Sequence, residues 1–239
     1  MGMSDKTGQR GALNGNLPRT SGRRHHWWRW ILASVVVLVV AGVFVSVQSL
    51  PGPATPSLTL SPSNATAEGA GGSSIDGTWN VGKGSLAGYR VPEQFLWQHD
   101  TLVARTDMVT GKFVIAHAEV SSAALRVDLS TVKANGKTPS GLAGILDTTS
   151  HRDATFALTT PIVLGSEPAI NKTFTSSATG LLAIRGTTRS VTFAVTARYD
   201  GSQLEATGSI PITFSDWKIK APFAVQQQGI AEFLLVMHQ

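Results

Sequence analysis

Six histidines, His25, His26, His99, His117, His151 and His238, are the residues best suited to hold a metal or carry a proton. None stands in an H-E-x-x-H motif, and outside the N-terminal tail none is paired at helical spacing, so no metal site is signalled. The chain has no cysteine. That excludes disulfides, thiolate metal sites, a cysteine nucleophile and a lipidated cysteine anchor. Ser130-Thr131-Val132-Lys133 and Ser215-Asp216-Trp217-Lys218 both fit S-x-x-K. In penicillin-recognising enzymes that pair lies on a helix and works with an S-D-N companion. No S-D-N is present, and Ser130 falls at the end of a strand pattern. There is no G-x-S-x-G elbow, and Gly82-Lys83-Gly84-Ser85 lacks the spacing of a phosphate-binding loop and reads as a turn. His151-Arg152-Asp153 reads as a solvated loop cluster. No catalytic residue, metal or cofactor is expected from these motifs.

The elements that surround these residues are strands. The stretch from Ala178 to Gly208 organises the chain. Val191, Phe193, Val195 and Ala197 alternate with Thr192, Ala194, Thr196 and Arg198, the period of a half-buried strand. Arg185-Gly186-Thr187 and Asp200-Gly201 punctuate the stretch as turns, so it reads as a meander of three antiparallel strands. Gly77 to Val81, Ser85 to Val91, Asp107 to His117, Ala123 to Ser130, Asp153 to Leu164 and Ile230 to His238 read as further strands. Pro92 to Leu96 is expected to form one helical turn, with proline at its start. Residues 133–152 hold Gly136, Pro139, Gly141 and Gly144 and suggest a loop with a short helix. Phe214 to Phe223 suggests a loop folded over one end. Eight or nine short strands with almost no helix indicate a barrel or a sandwich.

Charge is confined to one end. The net charge is +5. Residues 1–30 hold six basic side chains against Asp5 alone, and the rest of the chain is balanced. The domain has no basic face of its own, so no nucleic-acid partner is expected. Residues 1–26 read as a disordered basic tail. Trp27, Trp28 and Trp30 lead into an apolar run from Ile31 to Val47, about 25 Å long as a helix. With the tryptophans at its edge, 27–47 reads as a transmembrane helix. The basic flank places the N-terminus in the cytoplasm and the domain outside the cell membrane. A cleaved signal peptide is the competing reading; the run is longer than a usual signal core and lacks a good cleavage site. Residues 48–74 are rich in Pro, Ser, Thr, Gly and Ala and read as a flexible linker. The domain is expected over 75–239.

Several segments then resemble one family. Gly77-Thr78-Trp79-Asn80-Val81, Ala87-Gly88-Tyr89-Arg90-Val91 and Val109-Thr110-Gly111-Lys112-Phe113 resemble the opening of the YceI-like family. Val127-Asp128-Leu129-Ser130 and Ala154-Thr155-Phe156 are similar to its middle. Gly180 to Val191 resembles its best-marked segment, a strand, a glycine turn and the next strand. The resemblance covers roughly residues 77–237. It implies an all-β fold, an extended antiparallel β-barrel of lipocalin-like shape. It also implies a non-enzymatic role, binding an isoprenoid or other long-chain lipid inside the barrel in the bacterial envelope. On that reading one face of several strands lines an apolar tunnel: Phe113, Ile115, Leu125, Val127, Phe156, Val191, Phe193, Val195 and Phe233. Phe214 and Trp217 belong with these rings either as lining or as plain core; the many small residues beside them favour room for a ligand. The chain departs from the family at Lys133-Ala134-Asn135-Gly136-Lys137 and at His151-Arg152, which puts the ligand headgroup in question. Lys133, Lys137, Arg152 and Arg105 are candidates to meet a pyrophosphate, against a default reading as solvated surface. A membrane-tethered interaction module without a lipid ligand, and an extracytoplasmic hydrolase, remain as alternatives. Monomer and homodimer both stay open.

Overall fold

The computed structural model describes residues 55–62, 74–95, 98–164, 168–222 and 225–239. The expected tail and transmembrane run lie outside these residues. Among the described residues no helix is long and apolar enough to cross a membrane.

Among the described residues eleven strands form one antiparallel sheet. β1 (Gly77–Val81) and β2 (Leu86–Phe95) follow each other along one stave of a barrel. β3 (Gln98–Thr106) and β4 (Val109–Ala116) follow each other along the next, with β3 paired to β2 and β4 to β1. β5 (Glu119–Asp128) and β6 (Asp153–Thr160) come next in the wall. β8 (Thr173–Ile184), β9 (Thr187–Tyr199), β10 (Leu204–Thr213) and β11 (Gln228–His238) complete it. β11 pairs with both β1 and β2, so eight staves close on themselves. The two-residue β7 (Ile162–Val163) pairs with the start of β5.

The alternation read from the sequence is what makes this wall. Along β9, Phe193, Ala197 and Tyr199 are buried while Thr192 and Ala194 are exposed. Outward threonines meet across strands, Thr175 with Thr196 at 3.0 Å and Thr179 with Thr192 at 2.9 Å. Between β8 and β9, Arg185 and Gly186 both have positive φ, 52° and 68°. That is the turn whose twist matches a hairpin. After β9, the Asp200 carboxylate accepts from the backbone N–H of Ser202 and of Gln203, which closes the second hairpin.

One expectation fails. Pro92 to Phe95 do not form a helical turn; they continue β2 and pair with β3 from Thr101 to Gln98. The pairing of β2 with β11 stops at Arg90, and beyond it a proline on that edge removes no ladder bond. The short helix expected within residues 133–152 is present as α1 (Leu142–Leu146), the one α-helix among the described residues.

Residues 55–62, part of the segment read as linker, lie on the outside of the barrel. Arg90 and Arg105 donate to the carbonyl oxygens of Thr55 and Pro56. Thr207 donates to the carbonyl of Leu58 at 3.0 Å, and the N–H of Ser61 donates to Glu205 at 3.2 Å. The strap covers a row of charges on the outer faces of β9, β10, β11, β2 and β3. Glu232 takes one bond of 2.8 Å from the Nε of Arg90 and another from the Nε of Arg105. Gly88, level with both Arg105 and Glu232, has no side chain to block that reach. Arg198 meets Glu205 at 2.7 Å. Both carboxylates are buried, and burial without these partners would be costly.

Inside the barrel the apolar side chains form two clusters. One, at the end of Trp79, contains Ile75, Val120, Tyr199, Leu204, Leu235 and Met237. The other contains Leu129, Val132, Leu142, Leu146, Phe156, Leu182, Phe193, Ile210, Ile212, Phe214 and Trp217.

Candidate functional site

The second cluster surrounds a cavity of about 200 Å³. Its wall is almost entirely apolar, contributed by β2, β3, β4, β5, β6, β8, β9, β10 and β11. α1 borders one end with Leu142, Ile145 and Leu146, three residues at the spacing of one helix face. Phe214 belongs to the 3-10 turn Phe214–Trp217 that follows β10, and Ile219, Ala221 and Pro222 extend that border. Tyr89 also lines the cavity. Burial, and secondarily the charge of Glu93, push its hydroxyl well above the ordinary tyrosine range. It is therefore neutral at any physiological pH.

The structure distributes the nine tunnel candidates unequally. Leu125, Val127, Phe156, Phe193 and Phe233 line the cavity. Phe113 and Ile115 belong to the cluster around Trp79. Val191 and Val195 pack against the cavity cluster without bordering the cavity. The apolar stripe was read as one continuous tunnel because alternation reports which face points inward. It does not report where along the axis the opposing side chains meet. Phe214 lines the cavity too, whereas Trp217 is buried behind it.

None of the four basic headgroup candidates borders the cavity. Arg105 is engaged by Glu232 on the outer wall. Arg152 meets Asp128 at 2.6 Å and holds that carboxyl down at about 2. Lys133 and Lys137 are exposed on a small hairpin beside β3. The first S-x-x-K serine also has a structural role: Ser130 donates from both its backbone N–H and its hydroxyl to Asp128, closing a turn. Among the described residues no group of three His, Asp or Glu side chains is placed to hold a metal ion.

Sequence reasoning missed Tyr89, Leu182, Ile210, Ile212 and the α1 border. The spacing of Leu142, Ile145 and Leu146 was a usable signal for the last. The strap had one as well, since Leu58 and Leu60 alternate with Ser57 and Thr59, the pattern of an extended segment with one face covered.

Comparison with known proteins agrees with this architecture. The YceI-like domain matches residues 64–234. A polyisoprenoid binding domain from Saccharophagus degradans, implicated in plant cell wall breakdown, superposes with a TM-score of 0.53 at 14% identity, over 67% of this chain and 97% of that one. BcnA from Burkholderia cenocepacia superposes with a TM-score of 0.51 at 21% identity, over 64% of this chain and 95% of that one. At these identities the superpositions speak for the fold. No curated protein matches in sequence. The domain match covers most of the chain, including all or part of every strand of the closed wall, and on that ground the chain belongs to the YceI-like family.

Proposed function

We propose that the barrel binds a prenyl or other long-chain lipid in its cavity. The observation that carries this reading is the apolar chamber inside the barrel, bordered at one end by a short helix. Apolar chain transferred there from water gains roughly 0.8 kcal/mol per CH₂-sized group. Ordering the chain and losing its free motion offset part of that gain. No cation borders the chamber, so burial rather than charge supplies the affinity. The polyisoprenoid binding of the Saccharophagus domain is consistent with this ligand class. The apolar run 31–47 and the basic residues before it support a membrane anchor, with the barrel held outside the cytoplasm for storage or transport of the lipid in the envelope. The protein acts on this reading by holding its ligand, without chemistry.

Mass spectrometry of organic extracts of the purified chain tests the proposal, together with titration against prenyl alcohols at low and high salt. A co-purifying lipid, or saturable binding insensitive to salt, is the expected result. A folded protein that carries no lipid and binds no prenyl chain overturns the reading and leaves the interaction module in its place. Protease added to spheroplasts tests the topology. The barrel should be degraded and the tail spared, and a protected barrel rejects the external placement.

A further inference from the structure

The cavity has a floor, and the floor is aromatic. Phe156 on β6, Phe193 on β9 and Phe233 on β11 form a ladder of edge-to-face rings. Centroids lie 5.4 Å apart for the first pair and 5.9 Å for the second, with interplanar angles of 69° and 79°. The strands between them contribute glycines. A Cβ at Gly180 on β8 would fall 2.4 Å from the ring of Phe156, and one at Gly208 on β10 would fall 2.6 Å from the ring of Phe233. Across five neighbouring staves the inward residues thus run ring, gap, ring, gap, ring. Phe156 and Phe233 lean into the space that the glycines leave open, and Phe193 stands between them. All three rings border the cavity. Phe233 also packs against the cluster around Trp79, so the ladder stands where the two clusters meet.

Resting on the lipid-binding reading, we propose that the ladder of Phe156, Phe193 and Phe233 sets the length of chain the barrel accepts. Below the ladder the barrel is filled: Trp79 and Met237 are each 1% exposed, and neither borders the cavity. Above it, β10 runs from Gly208 to Ile212 before Phe214 turns over the end, a path of about 13 Å for four residues. An isoprene unit adds four backbone bonds, on the order of 5 Å when extended. The chamber therefore seats two to three units in one pass. Longer chains must leave their remaining units outside, where they gain no burial. The inferred ligand class is a short prenyl chain, or the terminal units of a longer one.

The test uses the full chain, purified in bilayer nanodiscs, and prenyl alcohols of two, three, four and eight units. Affinity is read by displacement of a fluorescent chain, and depth by crosslinking from a diazirine at the chain terminus. Affinity should rise at least about tenfold from two to three units and change less than about threefold beyond. The diazirine should label Phe193 or its neighbours. Phe193→Ala should shift the plateau upward by one unit. Phe193→Leu, which keeps more of the packing, provides the same test with less risk to folding. Thermal midpoint and circular dichroism report whether each variant folds. Affinity that climbs steadily through eight units overturns the length rule, while lipid binding itself stands. So does an unchanged plateau in folded Phe193 variants. Absence of binding at every length overturns the lipid reading and the length rule together.

Discussion

At the end of the barrel that holds Trp79, inward side chains meet across the axis; at the end under α1 they do not. The staves are largely the same, and small inward residues occur at both ends, Ala123, Ala197 and Ala206 at one and Ala154, Ala221 and Ala231 at the other. One difference is where the large rings sit: in the filled half Trp79 lies buried at the core of its cluster. Trp79 donates its indole N–H to the carbonyl of Ile75 at 2.8 Å and meets Tyr199 edge to face at 5.8 Å. An eight-stranded barrel is just wide enough to be filled by side chains or to hold one small ligand. Trp79, packed against Tyr199, helps to fill its own half. The difference teaches that the closed half supplies stability and the open half spends some of it on keeping space.

The sharpest way to break that comparison is truncation in each half. Trp79→Ala should cost about 3–5 kcal/mol in denaturant unfolding, because a fully buried ring is replaced by a cavity. Ile212→Ala borders space that already exists and should cost about 2 kcal/mol, the low end for such a change. Equal costs would show that the two halves do not differ in packing.

Glu232→Gln is expected next in size. The carboxylate is 3% exposed and neutralises Arg90 and Arg105 on the outer wall, beside the strap. Both guanidinium groups keep some contact with water, so the loss should be about 2–3 kcal/mol, below that of a fully buried pair. Prenyl affinity should be unchanged, since the Glu232 carboxylate is taken up by Arg90 and Arg105 and only the rest of the residue borders the chamber. A variant with wild-type stability would show that the charge row is dispensable, and altered affinity would show that the outer wall and the chamber are coupled.

How far the sequence could be read differs between the same regions. The meander from Ala178 to Gly208 was legible because hairpin turns and period-two alternation are local signals, carried by Gly186, Asp200 and the residues around Phe193. The barrel and its family followed. The boundary of the cavity was not legible, because it depends on which rings meet across the axis. Phe113 and Phe156 carry the same local pattern, yet one packs in the filled half and the other faces the chamber. The strap was hidden for another reason. Its partners Arg90, Arg105, Glu205 and Thr207 are distant in sequence and become one surface only when β11 closes against β2.

A smaller effect is expected at the open rim. Gly186 has φ +68°, and a Cβ there would fall 2.5 Å from the imidazole of His151. Gly186→Val adds a β-branched side chain in a left-handed conformation and should cost about 1–3 kcal/mol. The loss should be local, with faster hydrogen exchange in the β8–β9 hairpin and little change around Trp79. An unchanged thermal midpoint would show that the turn tolerates a side chain, and exchange accelerated equally at the Trp79 end would show that the halves do not unfold separately.

The finest test uses the two tyrosines, one in each half. Tyr89 lines the chamber and Tyr199 sits against Trp79. Burial raises both hydroxyls above their ordinary value, Tyr89 the more strongly, with Glu93 adding to the first and Asp200 to the second. A raised value means that the folded state keeps a proton that the unfolded chain releases near pH 10. The stabilising contribution is complete below that pH and is lost as pH rises from about 10 toward the folded values. Alkaline absorbance titration of Tyr199→Phe isolates Tyr89, and Tyr89→Phe isolates Tyr199. Loading the chamber with a prenyl alcohol removes the remaining water beside Tyr89, so its transition should move still higher while that of Tyr199 stays in place. Equal movement of both would mean that the ligand reaches past the ring ladder into the filled half. A Tyr89 transition at the ordinary value, with or without ligand, would mean that water has free access to the chamber and that it is no enclosed site for an apolar chain.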